Sequence, residues 1–322
     1  MREKGGGGLY DCLLVYLDQQ DCHVYEIKAI KPRLMKISTD KGIFIAKQFA
    51  NQTRLLMQLE FLKKLRNTGF KGAYLFSDEI KPFEFRGKSI GFLEYLPRHS
   101  KSYTFENYSE RLEGLDLLKQ MHEASAMIMD DLVMNKYTFS QVSKWRERLD
   151  EFILNSSRLK RIIPDSVFAE YVRMGEWTLN MLGNYELEDV DEKPVMIHGD
   201  LAHHNFFRTN NGELLLIDFD LMAEAPPMID YLQYANRLLI FNNCSLKEIL
   251  SFPQLKKYRD NPFFLIGLCF PTDIYREWNR ICRDQLWNST RRLDGLWDIT
   301  VEDLPKRLHF FKELKRRIGL LS

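Results

Sequence analysis

Residues 195–220 read VMIHGDLAHHNFFRTNNGELLLIDFD, and this stretch decides the fold. The apolar run at 195–197 predicts a short buried strand, and residues 198–205 predict a loop after it. Two more apolar runs, 206–208 and 214–217, flank an Asn-Asn-Gly sequence that is typical of a hairpin turn. The segment is therefore predicted to fold as a strand, a loop and a β-hairpin.

The polar residues of this segment are of the kind that phosphoryl-transfer sites use. The hairpin would return the chain so that Asn205 and Asp218 lie at one end, and hard cations such as Mg²⁺ prefer oxygen ligands of this kind. Protein kinases have the same order of residues: an Asp accepts the substrate hydroxyl proton, and a later Asn and Asp hold Mg²⁺. Asp200 is therefore the candidate catalytic base, and Asn205 and Asp218 are the candidate metal ligands.

The motif resembles the catalytic loop of the aminoglycoside phosphotransferase and choline kinase group. That group has HGD-x-x-x-x-N followed by IDFD, and the pattern matches His198, Asp200, Asn205 and residues 217–220 here. Within the group, the chain is most similar to the spore-coat-associated, CotS-like proteins of endospore-forming bacteria. That narrower similarity rests on the chain length, the spacing of the motifs and the tract at 47–70.

The resemblance implies an α+β, protein-kinase-like two-lobe fold. Residues 1–96 would form the N-terminal nucleotide-binding lobe, with an antiparallel sheet and a helix. Residues 97–322 would form a mainly helical lobe that carries the catalytic loop and the metal site. The resemblance also implies ATP or GTP and Mg²⁺ as cofactors, and the hydroxyl group of a small molecule as the acceptor.

Further site residues follow from the same resemblance. A strand lysine and a helix glutamate hold the α- and β-phosphates in kinase-like small lobes, and Lys47 and Glu60 are the candidates here. The stretch at 93–96, with Glu94 and Leu96, is a candidate adenine site read through backbone groups.

Three other residues have supporting roles in the resembled group. His198 is implied to be a scaffold that hydrogen-bonds backbone near the metal ligand. Asp220 is implied to belong to the metal neighbourhood. Asp230 is implied to cap a helix that starts there and to brace the catalytic loop.

Hydrophobic periodicity predicts the remaining elements. Strands are expected at 23–30, 33–38 and 43–49, with further strands at 73–76 and 89–95. Helices are expected at 9–19, 53–68, 108–129, 145–159, 165–182, 231–239, 274–287 and 304–318. The pattern indicates a small antiparallel sheet followed by a helical part.

One departure from the kinase pattern keeps a second function open. The turn between the first two predicted strands, at 29–32, reads Ala-Ile-Lys-Pro and has no glycine. A kinase glycine-rich loop would cover the phosphates here with backbone N–H groups. The alternative to a phosphotransferase is therefore a catalytically weak or inactive kinase-like protein that acts in the spore coat through protein contacts.

The acceptor class is only partly constrained by the sequence. Aminoglycoside enzymes line their cleft with acidic side chains that meet ammonium groups. Here the acidic and basic candidates alternate along the chain, which does not resemble a site for a polycation: Glu224, Asp273, Arg276, Glu277, Arg280, Arg283 and Asp284. A sugar, an aminoglycoside-like compound or an amino alcohol stays open.

Composition excludes several classes of partner and location. The formal net charge of the 322 residues is +1, which gives no electrostatic basis for binding nucleic acid or a membrane surface. No apolar run reaches transmembrane length, and the first residues lack the apolar core of a signal peptide. The five cysteines have irregular spacing, as in reduced cytosolic proteins. We expect a cytoplasmic location or, from the resemblance, the spore coat.

Overall fold

The computed structural model describes residues 8–132, 140–183 and 192–320. The chain forms two compact units, which we call the sheet unit and the helical unit. The sheet unit takes residues 1–103, 123–135 and 204–220, and the helical unit takes the rest. The predicted lobe boundary at residue 96 stays a prediction, since each compact unit consists of three separate segments of the chain. None of the described helices is both long enough and apolar enough to span a bilayer.

A five-stranded antiparallel sheet forms the centre of the sheet unit. Its strands are β1 (Val24–Lys31), β2 (Leu34–Thr39), β3 (Gly42–Phe49), β4 (Phe83–Phe85) and β5 (Lys88–Glu94), in the order β1-β2-β3-β5-β4. The predicted strands at 23–30, 33–38, 43–49 and 89–95 are confirmed within one residue at each end. The predicted strand at 73–76 is wrong, because Ala73 and Phe76 form only isolated bridges, to Leu216 and Leu93.

Two helices cover this sheet. Helix α1 (Leu9–Asp18) places Leu13 and Leu17 in a core with Phe44 and Ala46 of β3. Helix α2 (Gln52–Asn67) packs on β3 and β5. Asn51 caps its N-terminus, because the Asn51 side chain accepts a hydrogen bond from the Arg54 amide.

Gly91 of β5 allows the close approach of α2. A Cβ atom at this position would lie 2.7 Å from Leu55 of α2, too close for any side chain. Helices α1 and α2 therefore pack on opposite faces of the sheet. Burial of apolar surface between the helices and the sheet stabilises this arrangement.

The predicted hairpin of the 195–220 segment is confirmed within the sheet unit. Strands β7 (Phe206–Arg208) and β8 (Leu214–Leu216) pair with Phe206 opposite Leu216. The Ile217 amide donates to the carbonyl of Asn205 at 2.9 Å, so the two ends of the hairpin stay paired.

The helical unit contains one short sheet and eleven α-helices among the residues that the structure describes. Strands β6 (Val195–Ile197) and β9 (Ala223–Ala225) pair in antiparallel fashion. The helices are α3 (Tyr108–Ala126), whose last four residues belong to the sheet unit, α4 (Gln141–Leu154), α5 (Ser156–Leu159), α6 (Asp165–Leu182), α7 (Met228–Leu238), α8 (Leu246–Ile249), α9 (Pro253–Lys256), α10 (Pro262–Leu268), α11 (Thr272–Arg283), α12 (Thr290–Trp297) and α13 (Leu304–Gly319).

Aromatic packing holds α4, α10 and α11 together. Trp145 of α4 stacks on Phe270 with ring centroids 4.5 Å apart, and both are buried.

Asp273 of α11 forms a buried ion pair with Arg307 of α13, with Nη1 3.1 Å from Oδ1. Asp273 is therefore a structural residue and not part of an acceptor cleft.

The helices predicted at 108–129, 145–159, 231–239 and 274–287 each differ from the structure by three residues or more at one end. The predicted helix at 145–159 is interrupted at Asn155, so α4 and α5 are separate. Helix α7 begins at Met228, so Asp230 lies in its first turn and does not precede it. The prolines at 226 and 227 end the preceding strand and preset the helical φ one residue before the helix.

Candidate active site

Lys47 is placed by the alternation of β3. Phe44 and Ala46 contact the α1 side of the sheet, so Lys47 points to the opposite face. There it lies opposite Gly91 of β5, and the residue is only 7% exposed. A buried ammonium group requires anionic partners, because leaving water costs free energy that only close opposite charges offset.

Two carboxylates provide those partners within the sheet unit. The Lys47 Nζ lies 2.7 Å from Oδ1 of Asp218 and 2.7 Å from Oδ1 of Asp220. Burial disfavours the charge of Lys47, but Tyr74, Asp218 and Asp220 together raise its pKa above the ordinary value of a lysine. Lys47 is therefore an ammonium ion at any physiological pH, and the two carboxylates keep about half of their side-chain surface accessible.

Gln58 of α2 is a site residue that the sequence analysis missed. Its Nε2 donates to Oδ1 of Asp220 at 3.0 Å, and its Oε1 accepts from the Tyr74 hydroxyl at 3.0 Å. Gln58 is 1% exposed, and burial also raises the pKa of Tyr74 above its ordinary value. The signal in the sequence was a polar residue on the same helix face as Leu55 and Leu62.

Glu60, the predicted phosphate-binding residue of α2, contacts a neighbour on its own helix. In the described part of the chain its carboxylate meets Lys64, one turn further along α2, at 2.9 Å. Gln58 lies two residues earlier and faces the sheet, so the helix presents an amide to the site where a carboxylate was expected. A phosphate-binding role for Glu60 stays a prediction without a supporting contact.

The backbone at Asp218 is in an unusual conformation. Its φ is +68°, in the left-handed region that a non-glycine residue rarely adopts. The next residue, Phe219, is fully buried against Tyr74 and Phe61, with ring centroids 5.9 and 6.0 Å away. Packing of Phe219 therefore fixes the turn that directs Asp218 and Asp220 towards Lys47.

Asn205 is held at the base of the β7–β8 hairpin. It ends a single 3₁₀ turn and is 2% exposed. Its carbonyl accepts the Ile217 amide, so its backbone is one residue away from Asp218 across the ladder. Both metal-ligand candidates thus lie at the same end of one hairpin.

The adenine-site candidates lie at the end of β5. The Glu94 amide donates to the Leu75 carbonyl at 3.0 Å, so it is already satisfied within the sheet unit. Leu96 follows the strand and is half-buried. The nucleotide-binding role of this stretch stays a prediction.

In the helical unit, the carboxylate of Asp230 hydrogen-bonds the backbone of the HGD motif. Its carboxylate accepts the His198 amide at 2.8 Å and the Gly199 amide at 3.0 Å, and it meets His122 Nε2 at 2.9 Å. Burial acts to raise the pKa of Asp230, but these hydrogen bonds and the His122 contact bring it below the ordinary value. Asp230 is therefore a fully buried, ionised brace for the loop.

Gly199 is required by the geometry of that loop. Its φ is +78°, and a Cβ atom there would lie 2.2 Å from the carbonyl oxygen of Leu221. Asp200 follows, and its amide points to the His198 ring, at 3.3 Å from Nδ1. His198 is completely buried, which agrees with a scaffold position.

The Asp200 carboxylate is oriented by a basic residue that the sequence analysis missed. Arg237 of α7, two turns after Asp230, places its Nη2 at 2.9 Å from Oδ1 of Asp200. Lys144 of α4 approaches the same loop, with Nζ 3.4 Å from the Gly199 carbonyl. Burial and the nearby Arg276 lower the pKa of Arg237 to about 10, although Asp200 opposes this.

A model of the phosphotransferase enzyme family matches residues 33–240, which include Lys47, the HGD loop and the IDFD motif. No curated protein sequence matches the chain significantly.

Similar solved structures span nearly the whole chain. An aminoglycoside phosphotransferase from Alicyclobacillus acidocaldarius subsp. acidocaldarius DSM 446 superposes with a TM-score of 0.68 at 15% identity, covering 99% of this chain and 98% of that one. A spectinomycin phosphotransferase bound to AMP gives 0.59 at 15%, covering 96% and 97%. An aminoglycoside 2'-phosphotransferase bound to GDP gives 0.60 at 14%, covering 92% and 98%. The predicted α+β, protein-kinase-like fold is confirmed.

Proposed function

Because the chain belongs to the phosphotransferase enzyme family, we propose that it transfers the γ-phosphoryl group of ATP or GTP to a hydroxyl of a small molecule. The observation that carries this proposal is the buried contact of Lys47 with Asp218 and Asp220. Phosphoryl transfer needs charge neutralisation and positioning more than covalent chemistry, and these residue types provide both.

Each site residue has a distinct task in this proposal. Asp200 accepts the proton of the acceptor hydroxyl, and Arg237 fixes the direction of its carboxylate. Lys47 neutralises phosphate oxygens, for which it must leave at least one of its two carboxylate partners. Asp230 keeps the HGD backbone in place and touches no substrate.

The donor set fits a magnesium ion. Asn205 and Asp218 offer an amide oxygen and a carboxylate from one hairpin end, and Asp220 adds a second carboxylate. Both carboxylates contact the Lys47 ammonium group, so they are already placed to bind one cation together. A bound Mg²⁺ would neutralise the charge of the transferring phosphate.

A specific observation favours the second candidate, a catalytically weak or inactive spore-coat protein of the CotS-like kind. The β1–β2 connection consists of Pro32 and Arg33 alone, so it offers no glycine backbone to cover phosphates. Such a protein would act through contacts with coat proteins. A cytoplasmic location follows from the first candidate and a coat location from the second.

Thermal unfolding with nucleotides separates the two candidates. At a ligand concentration one hundred times the dissociation constant, binding stabilises the folded state by about 2.7 kcal/mol. The phosphotransferase proposal expects such stabilisation by Mg·ATP or Mg·GTP, and turnover with a hydroxylated acceptor. If millimolar Mg·ATP and Mg·GTP both leave the melting temperature unchanged, the proposal is wrong and the second candidate stands.

A further inference from the structure

Four basic side chains cluster in the helical unit, and three of them, Lys144, Arg148 and Arg237, interact electrostatically with the candidate base Asp200. Lys144 and Arg148 lie one turn apart on α4, Arg237 lies on α7, and Arg276 lies on α11. Helix α11 packs against both α4 and α7, which brings the three helix faces together. All four side chains are half-buried, so each has lost part of its hydration.

Carboxylates contact Arg237 and Arg276 directly. Asp200 meets Arg237 at 2.9 Å, and Glu277 meets its neighbour Arg276 at 3.1 Å. Two nearby acids are engaged elsewhere, since Asp230 is turned into the core with His122 and Glu151 meets Arg283 at 3.6 Å.

Arg148 has no ion pair among the described residues. Its Nη1 donates to the hydroxyl of Thr272, the first residue of α11, at 2.5 Å. Asp200 and Glu151 act on its charge from a distance, but the group that holds the half-buried guanidinium directly is a neutral hydroxyl and not a carboxylate. The arginine is thus positioned and still able to bind an anion.

The positive charges of these side chains also repel one another. Burial and Arg148 lower the pKa of Lys144 to about 8, and burial and Arg276 lower the pKa of Arg148 to about 10. Mutual repulsion of this kind is relieved when an anion binds between the charges.

Resting on the proposed function, we infer that the phosphoryl acceptor is an anionic alcohol, a small molecule with a carboxylate or phosphate group beside the hydroxyl that is phosphorylated. Arg148, Arg276 and Lys144 bind the anion, and Asp200 accepts the proton of the hydroxyl. A polycationic acceptor would meet repulsion here, because its ammonium groups would come close to half-buried cations that already lower one another's pKa.

Glucose, glucose 6-phosphate and gluconate test this inference, with kanamycin as the polycation. The first readout is the stabilisation of the nucleotide-free chain by each compound, at matched ionic strength. We expect glucose 6-phosphate or gluconate to stabilise the chain where glucose and kanamycin do not. The two anions separate a phosphate site from a carboxylate site.

Variants show whether the arginines cause the effect. Arg148→Gln should weaken binding of the anion about 10- to 100-fold, as loss of a charged hydrogen bond does, and Arg148→Lys should restore part of it. Arg276→Gln is the second variant, in case the first fails to fold. Arg146→Gln is the matched control, since Arg146 is exposed on the same helix.

The outcomes distinguish the inference from the proposed function. If neither anion stabilises the chain more than chloride does, or if kanamycin binds and the anions do not, the inference is wrong even when Mg·ATP binds. If Arg146→Gln and Arg148→Gln weaken binding equally, the effect is general electrostatics and the inference is also wrong. Anion binding without Mg·ATP binding would support the anion site and overturn the proposed function.

Discussion

The two units carry candidate site residues with opposite charge balance. In the sheet unit, one buried lysine meets two carboxylates, Asp218 and Asp220. In the helical unit, one carboxylate, Asp200, lies among several basic side chains, and Arg237 contacts it directly. The first balance suits a cation with its phosphates, and the second suits an anion. The contrast implies that nucleotide and acceptor binding can be altered separately.

Replacing the candidate base tests the helical unit most strongly. Asp200→Asn keeps the shape and removes the proton acceptor, so kcat should fall about 100- to 10,000-fold with little change in nucleotide affinity. Steady-state turnover and circular dichroism are the measurements. Asp150→Asn, an exposed site on α4, is the control. Retained turnover in Asp200→Asn would remove Asp200 from the mechanism.

The brace beneath the loop should be the largest contributor to stability. Asp230→Asn leaves His122 and the HGD amides with a neutral partner, and breaking such a buried arrangement costs about 3 kcal/mol or more. Urea unfolding measures the change. An unchanged midpoint would mean that the loop is held by other contacts.

Asp230 also predicts the direction of a pH effect. Its folded-state pKa lies below the unfolded value of about 3.9, so its contribution is complete above that pH. The contribution is lost as the pH falls through the folded-state pKa. Unfolding between pH 5 and pH 2 should therefore be less pH-dependent in Asp230→Asn, and equal slopes would contradict the assignment.

The sheet unit is tested by its metal-ligand candidate. Asp218→Asn should remove the stabilisation by Mg·ATP, about 2.7 kcal/mol at a hundredfold excess over the dissociation constant. Asp220→Asn should weaken it less, because Asp220 lies two residues beyond the candidate ligand. Thermal unfolding with and without EDTA is the measurement. Equal stabilisation of Asp218→Asn and the wild type would separate this residue from nucleotide binding.

Acceptor binding should depend on the charge of Lys144. Its pKa is lowered to about 8, so the ammonium is lost as the pH rises through that value. We expect the KM for an anionic acceptor to increase about tenfold above pH 8, the scale of one charged hydrogen bond. Lys144→Arg should keep KM constant over that range. A KM that does not vary with pH in the wild type would contradict this role.

The smallest expected effects compare two polar residues of α2. Gln58→Leu leaves the Tyr74 hydroxyl without its acceptor and should cost about 1–2 kcal/mol. Glu60→Gln removes only a partly exposed pair with Lys64 and should cost less than about 0.5 kcal/mol. Urea unfolding of both variants decides which residue belongs to the site.

Local patterns in the sequence predicted the elements that are fixed by nearby residues. The hairpin between Asn205 and Asp218 follows from two apolar runs and a turn, and the β3 strand follows from simple alternation. The long-range contacts could not be read in this way. Gln58 and Asp220 are 162 positions apart, and only the packing of α2 on the sheet brings them together.

The basic cluster illustrates the same limit. Lys144 and Arg148 are one turn apart on α4, and Thr272 and Arg276 are one turn apart on α11. The sequence therefore showed that each pair shares one face of its helix. The sequence did not show that these two helix faces lie close to each other in the helical unit. The alternation of acids and bases predicted that a polycation is a poor acceptor, and this stays a prediction; in the structure Asp273 and Glu277 contact arginines.

Calorimetric titration with ATP and with GTP, each in the presence of Mg²⁺ and again in EDTA, tests the central claim most directly. We predict saturable binding of at least one nucleotide that depends on Mg²⁺ and that is lost in Asp218→Asn. If neither nucleotide binds at millimolar concentration in the presence of Mg²⁺, this chain is not a working phosphotransferase.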